Sequence, residues 1–332
     1  MITGGTGTLG RALTKKLLMH DVDTIRIFSR DEGKQLEMSS NMDDNRLRFI
    51  IGDVRDRDRI VYALEDIDVV FHISALKQVP VAEYNPFEAI KTNVIGSQNV
   101  IDGCISNNVE IAVAISSDKA VSPLNTYGAT KLLMERMFTS ANFYKGNREI
   151  LFTSVRYGNV LGSRGSVVPQ FLKSIKKSSS INITDPTMTR FNITLAEALE
   201  LILYSLHHTK GGEVFVPKLD AYRLKDLAQS IIEITGKKVA INNSSIRTGE
   251  KLHESMINEH ESPYTIESDD VFILLSPQTY ENHLNSYSNV KLNPIEGNYS
   301  SDKATFLSVD ELKNIIQREI FDQTNPFRPV YS

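Results

Sequence analysis

The sequence is poor in several features that would point to particular classes of protein. Its 332 residues include a single cysteine, Cys104, and no tryptophan. One cysteine excludes an internal disulfide framework, so we expect a reducing compartment. No apolar run approaches the roughly 20 residues of a membrane-spanning helix, and glycines early in the chain interrupt what a signal peptide would need. We therefore expect a cytoplasmic protein with no membrane partner.

The charge balance removes a further class. Lys and Arg number 37 against 41 Asp and Glu, for a net charge of -4, and the basic residues are spread along the chain. Because nucleic-acid binding requires a basic patch or stripe, we expect no nucleic-acid partner. The seven histidines lack the spacing of metal ligands, so we predict no metal site.

Hydrophobic periodicity predicts the fold class. Beginning with MITGG, β-rich runs alternate with helical spacing as far as residue 158. The runs are near-continuously apolar, as in parallel strands buried on both faces. This alternation predicts an α/β protein with a Rossmann-type doubly wound parallel sheet. The predicted strands are 24–29, 46–53, 68–74, 110–117, 150–158 and 213–217, and the predicted helices are 9–18, 58–64, 86–107, 127–143, 195–207 and 223–235.

Two domains follow from where this rhythm changes. We assign residues 1–158 to a nucleotide-binding Rossmann domain, with some later segments returning to it. Residues 159–332 form mainly a smaller substrate-binding lobe and a C-terminal helix. Ser308 and Glu311 make a capping box ahead of that last helix.

The first chemical motif is TGGTGTLG, at residues 3–10. Its glycines follow a short first strand and precede an amphipathic helix. Glycine permits a tight turn and close backbone approach, and a helix N-terminus attracts a pyrophosphate. We therefore predict a dinucleotide site whose loop residues are Gly4, Gly5, Thr6, Gly7, Thr8, Leu9 and Gly10.

The second motif, FSRDEGK at residues 28–34, bears on the choice of cofactor. NAD-binding enzymes usually have an acidic residue at this strand end, whereas basic residues suit a 2′-phosphate. Here Ser29, Arg30 and Lys34 favour NADP, although Asp31 is an alternative contact to a ribose. Asp53 and Val54, at the next strand end, are expected to hold the adenine.

The third motif is SSDKAVSPLNTYGATK, at residues 116–131. Tyr127 and Lys131 lie four residues apart, hence on one face of a helix. We expect the lysine to lower the pKa of the phenol, so that the tyrosine acts as a base toward a substrate hydroxyl.

These motifs together resemble the extended short-chain dehydrogenase/reductase family. SALKQVPVAEYNP, RYGNVLGSRGSVVP and RTGEKLHE complete the pattern, which runs to about residue 255. Within the family the chain is similar to the inverting UDP-N-acetylglucosamine 4,6-dehydratases, a dehydratase and 5-epimerase group. The resemblance implies an NADP-dependent lyase and a UDP-N-acetylglucosamine substrate. It also implies a homo-oligomer, either a dimer or a larger assembly.

The resemblance also assigns roles around the third motif. A 4-epimerase needs only Tyr127, Lys131 and a hydroxyl such as Ser117. A dehydratase must also remove the C5 proton and expel the C6 hydroxyl. Asp118 is then the acid and Lys119 the base, for which burial or nearby Lys77 would have to lower the lysine pKa.

The remaining residues implied by the resemblance contact the UDP-sugar. Lys77 is expected to reach both substrate and cofactor, and the basic residues to bind the diphosphate. The substrate-binding set is Lys77, Asn159, Ser163, Arg164, Arg190, Arg247 and Glu250.

Three other functions stay open at this point. A UDP-N-acetylhexosamine 4-epimerase and a C5-retaining 4,6-dehydratase would use the same scaffold. A non-catalytic NADP-sensing regulator is a more distant alternative, since fold alone does not determine activity.

Overall fold

The computed structural model describes residues 1–163, 165–178, 180–246 and 249–327. Its strands are β1 (Ile2–Thr3), β2 (Ile25–Ser29), β3 (Leu47–Ile51), β4 (Val69–His72), β5 (Ile111–Ile115), β6 (Leu151–Val155), β7 (Asn159–Val160), β8 (Ser180–Ile183), β9 (Thr189–Ile193), β10 (Val214–Pro217), β11 (Ala221–Arg223), β12 (Ala240–Asn243), β13 (Ser255–Ile257), β14 (Thr265–Ser268), β15 (Val271–Leu274), β16 (Lys291–Leu292) and β17 (Tyr299–Ser300).

The α-helices alternate with these strands in the first half of the chain. They are α1 (Thr8–Leu17), α2 (Glu32–Asn41), α3 (Arg57–Ala63), α4 (Val79–Tyr84), α5 (Pro86–Ile90), α6 (Gly96–Ser106), α7 (Thr126–Tyr144), α8 (Val167–Lys177), α9 (Leu195–His208), α10 (Leu224–Thr235), α11 (Tyr280–Leu284) and α12 (Val309–Ile316). None of the helices in the described ranges has the length and apolar composition that crossing a bilayer requires.

A ten-stranded sheet organises the molecule, in the order β16-β14-β15-β10-β6-β5-β4-β1-β2-β3. The neighbours in the part of this order that runs from β10 through β6, β5, β4, β1 and β2 to β3 pair in parallel. Beyond β10, strands β15, β14 and β16 are added antiparallel. The prediction of a doubly wound parallel sheet is confirmed. The strand order reverses direction between β1 and β4, and ligands of such sheets bind at this switch point, beyond the carboxyl ends of the strands.

Successive residues of the central strands enter two separate cores, one on each face of the sheet. On β4, Phe71 packs with α1 and α9, while Val70 packs with α3 and α6. On β5, Val113 belongs to the same core as Phe71, and Ala114 to the same core as Val70. Burial on both faces explains why these strands carry apolar residues without polar alternation.

The second half of the chain contributes both to the sheet and to a separate lobe. The strands β10, β14, β15 and β16 extend the main sheet. The lobe has its own core, in which α8, α10 and α12 pack with β8, and its capping box at Ser308 and Glu311 is present. The domain boundary at residue 158 stays a prediction.

One predicted helix differs from the structure. The segment 86–107 is not a single α-helix, because a π-helical turn, Lys91–Ile95, separates α5 from α6. A π-turn inserts a residue into the helix and is frequent at functional sites. Here it carries Asn93 toward the sheet, where the side chain is buried.

Candidate active site

The loop between β1 and α1 is shaped by its glycines. Gly4 has φ of 69°, and a Cβ there would lie 3.0 Å from the backbone N of Ser74. A Cβ on Gly10 would lie 2.5 Å from the Gly5 carbonyl oxygen, so α1 packs tightly on the loop. Gly7 begins α1 without a side-chain cap. This cradle leaves room and N–H donors for a pyrophosphate, so the residues present fit a dinucleotide.

A cleft of about 410 Å³ adjoins this loop. Ser29, Arg30 and Lys34 line it, and Arg30 Nη1 lies 3.5 Å from Asp53 Oδ2. Asp31 also borders the cleft, but its side chain caps α2, accepting the N–H of Lys34 at 3.0 Å. The Asp31 carboxylate thus caps the helix with one oxygen and pairs with the Lys34 ammonium through the other, while Arg30 stays exposed at the edge of the cleft.

A second cavity, of about 470 Å³, continues from the first and shares Gly4, Thr6 and Ser74 with it. Four of the five proposed catalytic residues line it, because the ends of several parallel strands converge there. The fifth, Asp118, is buried beside Ser117 and Lys119. The predicted residues lining this cavity are Gly4, Thr6, Gly7, Thr8, Leu9, Lys34, Lys77, Ser117, Lys119, Tyr127, Lys131, Asn159 and Ser163.

A third cavity, of about 290 Å³, lies toward the lobe. Lys77, Lys119 and Asn159 line both it and the second cavity. Arg190 and Glu250 border it, 3.6 Å apart at their closest charged atoms. The three adjoining cavities can accommodate a dinucleotide at one end and a second extended ligand at the other.

Tyr127 and Lys131 occupy one face of α7, as predicted, but their electrostatics differ from expectation. The ammonium of Lys131 donates to the Ile115 carbonyl at 2.6 Å, and burial lowers the pKa of Lys131 to about 8. Burial raises the pKa of Tyr127 to about 12, against the opposing effects of Lys119 and of a hydrogen bond with Ser117. The expected lowering of the Tyr127 pKa by Lys131 is therefore wrong for this structure.

Asp118 and Lys119 lie in a 3-10 turn at the end of β5. Asp118 is fully buried, and its Oδ1 accepts from Ser117 Oγ at 2.8 Å and from Lys119 Nζ at 3.0 Å. Its Oδ2 is buried without a hydrogen-bond partner among the described residues. Asp118 adjoins the second cavity through Ser117 and Lys119, which line it. A buried carboxylate oxygen without a partner in this place is a candidate for proton exchange.

The sequence-based requirement for a lowered Lys119 pKa is not met. Burial by itself lowers the pKa of the Lys119 ammonium, but the carboxylates of Asp118 and Glu254 outweigh burial and raise it. Arg190, rather than Lys77, is the cation that opposes them. Lys119 is thus charged as the structure stands, and a neutral amine would require a change in these neighbours.

The sequence analysis missed a buried polar network that links the glycine loop to α7. Thr3 Oγ1 bonds His72 Nδ1 at 2.9 Å, and His72 Nε2 bonds Ser97 Oγ at 3.0 Å. Ser97 donates to the Asn93 carbonyl at 2.6 Å. Asn93 then donates to Thr130 Oγ1 at 2.9 Å, one turn beyond Tyr127. The signal for Asn93 was weak, since a polar residue in a helical run usually faces solvent.

Other predicted residues have different roles or lie elsewhere. Gly5 packs against Ile27 and Gly10 against Gly5, so both shape the loop rather than line the cavities. Val54 lines the first cleft. The guanidinium of Arg190 donates to the carbonyls of Thr189, Lys251 and Leu252, which occupies much of its hydrogen-bonding capacity. Arg164 and Arg247 lie outside the described residues.

Comparison with known proteins agrees with this geometry. A family described as polysaccharide biosynthesis protein matches residues 1–276. The chain belongs to this family. The resemblance to extended short-chain dehydrogenase/reductases, and within them to the inverting UDP-N-acetylglucosamine 4,6-dehydratases, is confirmed.

The curated relatives carry different names. The UDP-N-acetylglucosamine 4,6-dehydratase (inverting) of Campylobacter jejuni is 47% identical over 276 residues, covering 82% of this chain and 81% of the relative. The UDP-glucose 4-epimerase of Rickettsia prowazekii is 43% identical, covering 79% and 78%. A Methanocaldococcus jannaschii chain, named as the uncharacterized membrane protein MJ1061, is 42% identical, covering 96% and 94%.

A solved structure extends the likeness to the whole fold. The X-ray structure of Pen from Bacillus thuringiensis shares 42% identity and a TM-score of 0.89, covering 95% of each chain. The close relatives with named activities are dehydratases and epimerases, and this chain is an enzyme of that kind.

Proposed function

We propose that the protein is an NADP-dependent UDP-N-acetylglucosamine 4,6-dehydratase that inverts C5. Its product would be a UDP-2-acetamido-2,6-dideoxy-L-arabino-hex-4-ulose for polysaccharide biosynthesis. The observation that carries the proposal is the position of Asp118 and Lys119. Lys119 lines both the cavity that holds Tyr127 and the cavity that extends toward the lobe, and its ammonium donates to the buried Asp118 at 3.0 Å.

The residues of the chain divide the proton transfers between them. Tyr127 accepts the proton of the C4 hydroxyl, and the bound nicotinamide supplies hydride acceptance and return. Once C4 is a ketone, the C5 proton is acidic. The Lys119 ammonium first passes a proton to Asp118, whose Oδ1 lies 3.0 Å away, and the neutral amine then removes the C5 proton. Asp118, protonated by this transfer, donates a proton to the departing C6 oxygen. A proton then reaches C5 from the opposite face, so atoms balance and no net oxidation occurs.

The choice of NADP over NAD depends on the first cleft. Arg30 and Lys34 border it, while the carboxylate of Asp31 caps α2 and pairs with the Lys34 ammonium. A guanidinium and an ammonium favour a 2′-phosphate, whereas an available carboxylate would favour the ribose hydroxyls. Denaturing the purified protein and identifying the released nucleotide tests this point, and a stoichiometric release of NAD would refute it.

A 4-epimerase is the second candidate, because a relative 43% identical carries that name. An epimerase does not need an acid and a base beside the C5–C6 bond. The Asp118–Lys119 pair therefore favours the dehydratase, and the intact Tyr127 and Lys131 argue against a non-catalytic regulator.

Incubation with UDP-N-acetylglucosamine in D2O, without added cofactor, tests the proposed function. NMR of the product should show a 4-ketone, loss of the C6 oxygen and deuterium at C5 with inverted configuration. Deuterium at C5 with retained configuration would indicate a C5-retaining dehydratase. An epimerase would leave C6 oxygenated and C5 protonated.

We also propose a homo-oligomer, a dimer or a larger assembly. Large apolar side chains are exposed on helices α4, α5 and α7, among them Tyr84, Phe87 and Leu133. A contiguous exposed apolar surface typically marks a protein interface. Light scattering after size exclusion measures the mass, and a monomer at micromolar concentration would contradict the proposal.

A further inference from the structure

A buried carboxylate, Glu254, lies beside Lys119 although no sequence motif singled it out. Its Oε1 is 3.5 Å from Lys119 Nζ and 3.8 Å from Arg190 Nε. Its Oε2 is buried and has no hydrogen-bond partner in the described part of the chain. Glu254 therefore lies between Lys119, the proposed base, and Arg190. All three residues line the third cavity.

The backbone holds Glu254 firmly in this place. Its N–H donates to Ser301 Oγ at 3.0 Å, and its carbonyl accepts from the Ser301 N–H at 2.8 Å. Ser301 Oγ also bonds Thr189 Oγ1 at 2.7 Å, which ties the pair to β9. Because the backbone is anchored in this way and the side chain is only 4% exposed, the carboxylate has little room to move away from Lys119.

Several other charged or titratable groups face Lys119, and they act in both directions. Asp118 and Glu254 favour its charged form, while Arg190 disfavours it. Lys251, Tyr127 and Tyr222 also interact with it electrostatically, and Lys77 lines the same two cavities. Of the two carboxylates, Asp118 has its own part in the chemistry, so Glu254 is the one left to adjust the lysine.

We propose that Glu254 is a positioning residue that holds Lys119 in the cavity and controls its protonation. Its charge stabilises the Lys119 ammonium until a proton passes to Asp118, and its location holds the amine at the space between the second and third cavities. The effect on the reaction rests on the proposed function. The effect on Lys119 itself does not, since it follows from two charges 3.5 Å apart.

The test measures Lys119 directly. Competitive acetylation with acetic anhydride over a series of pH values, read by mass spectrometry of the Lys119 peptide, gives the pH midpoint of its reactivity. Glu254→Gln should lower this midpoint by about 1 to 3 pH units, the range that Coulomb's law gives for a unit charge ~4 Å away. Glu254→Asp keeps the charge but moves it away, so a smaller shift in the same direction is expected.

Glu259→Gln is the control, because Glu259 is exposed and pairs only with the neighbouring His260 in the described structure. It should leave the midpoint unchanged. Circular dichroism and thermal unfolding check that each variant folds. If Glu254→Gln does not fold, Glu254→Asp provides the test. Midpoints equal to that of the wild type in the folded Glu254 variants would overturn the proposal.

A second readout separates this inference from the proposed function. If the wild type dehydrates UDP-N-acetylglucosamine, the limb of its pH–rate profile that belongs to Lys119 should move in Glu254→Gln by the same amount as the acetylation midpoint. If the wild type leaves this substrate intact, the proposed function fails, while the acetylation series still decides the role of Glu254. A shifted midpoint with an unshifted rate profile would show that Glu254 does not act on catalysis.

Discussion

Two buried clusters in this molecule each place one cation between two carboxylates, yet they differ in character. In the first, Arg156 lies between Glu135 and Glu261, and its guanidinium makes five hydrogen bonds of 2.6–2.9 Å, four to carboxylate oxygens and one to the Met256 carbonyl. In the second, Lys119 lies between Asp118 and Glu254 at 3.0 and 3.5 Å. Among the described residues, the second cluster leaves carboxylate oxygens without partners and the first does not.

The contrast separates a fully satisfied ion cluster from one with unused acceptors. The guanidinium of Arg156, just after β6, joins α7 to the segment that carries Met256 and Glu261. All its N–H donors are used, so this cluster has nothing to offer a ligand. In the other cluster, Lys119 lines two cavities and both carboxylates keep an oxygen without a partner among the described residues. These features, rather than burial and charge alone, favour the Lys119 cluster as the candidate active site.

The largest expected effect is a loss of turnover when Asp118 of the Lys119 cluster is replaced. Asp118→Asn should lower turnover of UDP-N-acetylglucosamine by about 100- to 10,000-fold, since it removes a general acid. The amide keeps an acceptor for Ser117 Oγ and Lys119 Nζ, but it loses the negative charge 3.0 Å from Lys119, which then retains only the more distant Glu254 carboxylate. The free energy of unfolding should therefore fall by about 1–3 kcal/mol, less than when a buried cluster loses its central cation.

Rates from NMR and unfolding curves in urea check both parts. A variant with normal turnover, or one that is strongly destabilised, would make the two clusters alike and remove the distinction drawn between them.

The Arg156 cluster should respond in the opposite way, with its main effect on stability. Arg156→Met leaves Glu135 and Glu261 buried without their common cation, which should lower the free energy of unfolding by about 3–5 kcal/mol. Arg136→Met is the matched control. Arg136 is exposed and lies 3.8 Å from Glu261 Oε1, so its loss should change stability by less than about 0.5 kcal/mol. Equal unfolding midpoints for the two variants would contradict the structural role of Arg156.

The close packing of α7 on the turn that carries Lys119 gives a third prediction. A Cβ on Gly128 would lie 2.1 Å from the Lys119 carbonyl oxygen. Gly128→Ala should therefore move α7 from the turn, destabilise the fold by about 1–2 kcal/mol after the gain in helix propensity, and reduce turnover.

Gly103→Ala provides the comparison within a neighbouring helix. Its Cβ would meet the tip of the Leu64 side chain at 2.7 Å. This contact is remote from the Lys119 cluster, so turnover should be unchanged. If turnover is unchanged in Gly128→Ala as well, the close packing of α7 on the turn that carries Lys119 is not required for turnover.

The smallest effect concerns Lys131, a buried cation whose ammonium bonds a carbonyl rather than a carboxylate. Its folded-state pKa is lowered by burial from 10.5 to about 8. Between these values the unfolded chain binds more protons, so stability rises with pH; the penalty is complete below about pH 8 and absent above about pH 10.5.

From about pH 7 to about pH 9, the wild type should gain about 1 kcal/mol of stability relative to Lys131→Met. Urea unfolding of both proteins at these pH values measures the difference. A difference that falls as pH rises would mean that the lysine has an unrecognised anionic partner.

Local patterns were sufficient for much of the fold and for the cofactor half of the site. Strands such as 110–117 were predictable because burial on both faces requires apolar side chains throughout. The loop around Gly4 and Gly10 was predictable because close backbone contacts exclude a side chain. The π-turn at Asn93 was not predictable, since it depends on bonds to Leu76 and Thr130 across the molecule.

The sequence alone determined the doubly wound sheet, the glycine loop and the pairing of Asp118 with Lys119, because each depends on neighbours in the chain. Only the tertiary structure decided the charge state of Lys119, the position of Glu254 beside it and the difference between the two ion clusters. Electrostatic interactions act through space, so residues such as Lys119 and Glu254, far apart in sequence, influence each other only once folding has brought them together and excluded water.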